Sequence, residues 1–152
     1  MTAVPSPNCP PNAVITSSAP MVHVADVDRS VEFYVLLGFE CVSRFSGHDG
    51  KTNWADLVSK EARIMLARAS GPVDAEVQAV LFYLYSEDVR LLQQHLLAQG
   101  IPHAGPPPQE GIESPPPNGA AVFDIVTRFY MPAGELRIHD PDGYCLLVGQ
   151  LD

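Results

Sequence analysis

Basic residues are scarce in this chain. Nine lysines and arginines stand against eighteen aspartates and glutamates, for a formal net charge of −9. Nucleic-acid binding needs clustered cations to neutralise phosphates, so that class of partner is excluded on charge. Long apolar runs are missing as well. No stretch approaches the roughly 18 apolar residues of a membrane-spanning helix, so no membrane partner is expected. Cys9, Cys41 and Cys145 form no C-x-x-C pair. An odd count without a pairing pattern predicts reduced thiols and a cytoplasmic location. The opening MTAVPSPNCPPNAVITSSAP has neither the basic start nor the sustained apolar run of an export signal.

What is present suits one folded domain. Hydrophobic residues make up 46% and charged residues 18% of 152, enough for a sizeable core. The acidity serves solubility or favours a cationic ligand.

Residues 1–18 are rich in Pro, Ser and Asn and read as a flexible N-terminal arm. Pro20–Ala25 then reads as a strand, and Asp26-Val27-Asp28 as the cap of a helix that stops at Gly38. Phe39–Phe45 follows as a strand, with Thr52–Val58 and Ala62–Ala67 as a hairpin. The order recurs with a strand over Ala79–Tyr85, a cap at Asp88 and a helix ending at Gly100. A strand over Ile101–Ala104, a short one over Val122–Ile125 and a hairpin of Gly134–His139 with Tyr144–Val148 complete it. Gly105–Asn118, with six prolines, reads as a loop over an opening.

Two segments carry a resemblance. Val24-Ala25-Asp26-Val27-Asp28-Arg29-Ser30-Val31-Glu32-Phe33-Tyr34, running into Leu37-Gly38-Phe39, is similar to the V-x-D-x-x-x-S-x-x-F-Y…L-G-F opening of vicinal oxygen chelate modules. His139-Asp140-Pro141-Asp142-Gly143-Tyr144 is like the D-P-D-G turn before their final strand. With the strand order, the resemblance to this glyoxalase, bleomycin-resistance and extradiol dioxygenase superfamily covers residues 19–150. It implies an α+β fold of two βαβββ modules, about 19–70 and 77–150. These would form a curved mixed sheet around a cleft, with helices on the convex face.

The resemblance also supplies a test. Metalloenzymes of the superfamily hold one divalent ion with His, Gln or Glu donors on the concave face. The matching positions here are Ala19, Met65, Leu81 and Leu147, and none is such a donor. The expectation is therefore no metal, no cofactor and no catalytic residue. The chain moves toward the bleomycin-resistance branch, whose members sequester a bulky cationic drug in clefts of a homodimer.

Strand alternation sorts the faces. Val22, Val24, Phe82, Leu84, Leu136 and Ile138 should pack under the helices. His23, Trp54, Asp56, Arg63 and Met65 from the first module should look into the cleft, as should Tyr83, Tyr85, Glu135, Arg137 and Leu147 from the second. An apolar, aromatic cleft with sparse polar anchors suits a small-molecule ligand. Plainer roles stand beside this one: His23 as a core histidine, Arg63, Glu135 and Arg137 paired with one another, and the aromatics as interface residues. Cys145 reads as a small buried residue. Two functions stay open. One is a binding protein for a cationic or aromatic compound, not an enzyme. The other is a glyoxalase-type lyase, isomerase or dioxygenase with a displaced metal site, or with a metal-free pair such as His23 and Glu135.

The apolar metal positions make a prediction. Treating the protein with a chelator should leave its melting temperature unchanged, and a clear drop would mean that a metal site lies elsewhere.

Overall fold

Asp26 and Asp88 stand in extended backbone and cap the two helices. Their carboxylates accept from the N–H groups of Arg29 at 3.1 Å and Leu91 at 3.0 Å, which satisfies donors that a helix start leaves open. The helices are α1, Val27–Leu36, and α2, Val89–Ala98. Gly38 and Gly100, at φ 99° and 88°, turn the chain out of them through the left-handed region that glycine tolerates. The computed structural model describes residues 17–74, 80–108 and 119–152, together with 4, 7, 8 and 77. Most of the expected arm, and residues 109–118 of the proline-rich loop, lie outside these.

Each helix covers one face of a sheet. The first sheet contains β1 (Met21–Val24), β2 (Glu40–Ser46), β3 (Thr52–Ser59) and β4 (Ala62–Arg68), in the order β1-β4-β3-β2. Only β1 and β4 are parallel. The second contains β5 (Phe82–Ser86), β6 (Ala121–Val122), β7 (Val126–Arg128), β8 (Met131–His139) and β9 (Cys145–Gln150). Its order is β5-β9-β8-β6, with β7 also paired to β8. The fold is α+β, and the first module is the expected βαβββ unit.

The second module departs from the expected elements. Ile101–Ala104 makes only a single bridge, His103 to Val122, because Pro102 has no N–H for a ladder. The strand expected over Val122–Ile125 splits into β6 and β7. Between them the Phe123 N–H donates to the Arg137 carbonyl, and the Asp124 N–H turns away to Gly105. The strand expected from Ala79 begins at Phe82. No helix among the described residues is long and apolar enough to cross a membrane.

One continuous core runs under both helices. Val22, Val24, Ile64 and Leu66 are buried with Val27, Val31 and Tyr34 of α1, and Leu136, Ile138, Leu146 and Val148 with Val89 and Leu96 of α2. The D-P-D-G turn joins the modules. Asp140 Oδ1 accepts from the N–H groups of Asp142 and Tyr144, each at 2.9 Å, and Oδ2 accepts from the Tyr34 hydroxyl at 2.9 Å. Asp142 accepts from the Ala25 N–H at 3.2 Å and from Arg29 Nη2 at 3.1 Å, a negative charge beside the start of α1. The Tyr144 hydroxyl donates to the His23 carbonyl at 2.7 Å.

Asp140 is fully buried, and burial pushes its carboxyl up to about 6, above the ordinary value of about 3.9. The folded chain then binds more protons than the unfolded chain between those values. This group's contribution is present at lower pH and is lost as pH rises through the folded value. In denaturant unfolding, the wild type should lose about 2 kcal/mol relative to Asp140→Asn between about pH 4 and pH 7. A constant difference across that window would show that Asp140 ionises in the ordinary range.

Candidate functional site

Register places every expected site residue on the face that its helix leaves open. In the first sheet His23, Ala67, Trp54 and Phe45 form one row, and Met21, Met65, Asp56 and Ser43 the next. Arg63 shares their side of β4. In the second sheet Tyr83, Leu147 and Arg137 form a row. Tyr85, Gly149, Glu135 and Val126 form the row beside it. The expected residues thus fall into two sets, one per sheet.

The two sets differ in what their charges do. In the first, Arg63 forks onto Asp56 through Nε at 2.9 Å and Nη2 at 2.8 Å. That hydrogen-bonded pair holds the Asp56 carboxyl below its usual range. In the second, a cavity of about 130 Å³ opens between β7, β8 and β9. Glu135, Arg137 and Leu147 are the expected part of its lining. Pro107, Val126, Arg128 and Tyr130 also line it, and the alternation argument did not reach them.

Glu135 is 3% exposed and fully engaged. Oε2 accepts from the Tyr83 hydroxyl at 2.8 Å, Oε1 accepts from the Tyr130 hydroxyl at 3.4 Å, and Arg128 Nε stands 3.7 Å from Oε1. Burial and the neighbouring carboxylate raise the pKa of both phenols, so they stay donors. Tyr83 reaches Glu135 by lying across Gly149. A Cβ there would meet the Tyr83 ring and hydroxyl at 3.1 Å and the Met131 methyl at 2.5 Å. Tyr85, 63% exposed, sits beside Tyr83 with ring centroids 5.4 Å apart.

Arg137 behaves differently. Its Nε donates to His139 Nε2 at 3.0 Å, and its guanidinium lies 5.5 Å from the centre of the Phe123 ring. The Phe123 ring packs edge-on against His139 at 5.0 Å. His139 is buried, and burial together with Arg137 pushes its imidazole down to about 4. The ring is neutral at physiological pH. With Nε2 accepting, its proton sits on Nδ1, which is buried without a partner among the described residues. The expected mutual pairing of Arg63, Glu135 and Arg137 is not formed, because each has found another neighbour.

Among the described residues, no group of three His, Cys, Asp or Glu side chains could hold a metal ion. Cys145 stands across from His139, and burial raises its thiol pKa, so it is not a thiolate.

A family model described as Glyoxalase/Bleomycin resistance protein/Dioxygenase superfamily matches residues 18–147. No curated protein sequence matches the chain. Solved structures resemble it at low identity. A bleomycin-binding protein complexed with bleomycin is 20% identical with a TM-score of 0.64, covering 91% of this chain and 100% of that one. A bleomycin resistance determinant encoded on the transposon Tn5 is 20% identical with a TM-score of 0.65, covering 91% and 99%. A bleomycin-binding protein from bleomycin-producing Streptomyces verticillus, complexed with copper(II)-bleomycin, is 17% identical with a TM-score of 0.61, covering 93% and 100%. These likenesses establish the fold.

The close approach at Gly149 is testable. Gly149→Ala should push Tyr83 off Glu135 and cost about 1–3 kcal/mol by denaturant unfolding. Unchanged stability would show that Tyr83 need not cross the sheet there.

Proposed function

The chain belongs to the Glyoxalase/Bleomycin resistance protein/Dioxygenase superfamily, and we propose that it is a metal-independent small-molecule-binding protein of that superfamily. Its ligand lies on the open face of the second sheet, against Tyr83, Tyr85, Arg137 and Leu147. The observation that carries this reading is the cavity beside β8, where Val126, Tyr130 and Leu147 meet a few fixed polar groups; the Tyr83 and Tyr85 rings lie outside its lining, on the same open face of the sheet. The expectation of a cationic ligand rested on net charge and on Glu135 as anchor. That carboxylate is already engaged, so the aromatic half of the expectation carries the proposal.

The working form is a cytoplasmic homodimer in which a second copy covers the open faces. Met21 at 58%, Phe45 at 63% and Tyr85 at 63% exposure support this, because each leaves a large apolar side chain on an open sheet face that a second copy would cover. His23, Trp54, Asp56, Arg63 and Met65 then belong to the partner wall of a cleft completed between subunits. The cytoplasmic location rests on the cysteine pattern. A metal-free enzyme using His23 with Glu135 is not favoured, since the two lie on different sheets and Glu135 is held by Tyr83 and Tyr130.

A thermal-shift screen against planar aromatic compounds should yield ligands that raise the melting temperature. Calorimetry with a hit should show Tyr83→Ala weakening binding by about 1–3 kcal/mol. Sedimentation should report twice the chain mass. If folded Tyr83→Ala binds every hit like wild type, the ligand sits elsewhere; a strict monomer removes the shared cleft.

A further inference from the structure

Two guanidiniums and one carboxylate line the cavity: Arg128, Arg137 and Glu135. Arg128 faces the carboxylate, which two tyrosine hydroxyls also satisfy. Arg137 is left over. Among the described residues its side chain makes one hydrogen bond, to neutral His139, and one ring contact, over Phe123. Neither neutralises it. Its position is nevertheless fixed, by an acceptor on Nε and an aromatic surface beneath the guanidinium plane. The terminal Nη groups, a fork that fits a carboxylate, have no partner among the described residues. His139 holds this arrangement while its own buried Nδ1 has no partner among the described residues.

Resting on the proposed binding reading, we infer that Arg137 is the anchor for the anionic group of the ligand, and that the cavity takes aromatic carboxylates. The row Tyr83, Leu147, Arg137 supplies the spacing. Neighbouring strands stand about 4.8 Å apart, so a ring attached to a carboxylate on Arg137 can reach Leu147 in the cavity lining, on the open face that also carries Tyr83. A local positive anchor inside a chain of net charge −9 is selective in a simple way. The outer field disfavours every anion, so one that binds must also bury an apolar body, while the unneutralised guanidinium repels cations.

Three probes of one shape separate the outcomes: naphthoate, naphthamide and naphthylmethylammonium, titrated by calorimetry into the full chain. Wild type should bind naphthoate on the order of tenfold tighter than either of the others. Arg137→Gln should abolish that preference, so that naphthoate and naphthamide bind alike, and Arg137→Lys should keep part of it. If wild type binds the amide or the ammonium as tightly as the acid, and Tyr83→Ala weakens that binding, the cavity binds ligand but Arg137 is not its anchor. If none of the three binds, or if Tyr83→Ala binds all three like wild type, the binding reading falls and this inference with it. The wild-type preference alone decides the matter should Arg137→Gln fail to fold.

Discussion

The contact on which the molecule turns is the buried carboxylate of Asp140. Its oxygens accept from two N–H groups of its own turn and from the hydroxyl of Tyr34, a residue of the other module. A buried carboxylate needs such partners, because losing one leaves an uncompensated polar group in the core. Asp142, two residues on, reaches the start of α1 through Ala25 and Arg29. The Tyr144 hydroxyl returns to the backbone of β1. One short turn therefore finishes β8, starts β9 and locks the second module against the first helix of the first.

That lock leaves each sheet with one face under its helix and one open. Most charges on the open faces find a partner within their own sheet. Arg63 finds Asp56, and Glu135 finds Tyr83, Tyr130 and Arg128. The outcome is two unlike surfaces. The first sheet presents a closed ion pair among apolar side chains, which suits contact with another protein surface. The second presents a cavity whose one carboxylate is satisfied and one of whose guanidiniums is not.

Much of this was legible in the sequence, because alternation is a geometric necessity. Once Val22 and Val24 are buried, Met21 and His23 must face the other way, and the structure has them exposed. The two Asp caps and the D-P-D-G turn were readable for a similar reason, since short polar side chains beside backbone donors act locally. The β7–β8 hairpin was not readable. Its two linking residues are Phe129 and Tyr130, without the Gly, Asn or Asp that marks a tight turn. Arg128 and Tyr130 were missed with it. The partners of Glu135 and Arg137 were equally hidden, because pairing depends on which side chain crosses Gly149 and on where the Phe123 ring lies.

Gly149 shows how a backbone choice sets the chemistry above it. It occupies the position between Tyr85 and Glu135 in its row, where any side chain would project into the open face. Its absence lets the Tyr83 ring lie over the sheet and donate to Glu135. That hydrogen bond keeps the carboxylate turned toward Tyr83, Tyr130 and Arg128, so Arg137, two residues along the same strand, pairs with His139 and not with its acidic neighbour. A Cβ at Gly149 would stand 3.1 Å from the Tyr83 ring and hydroxyl, so the ring would have to give way by a few tenths of an ångström.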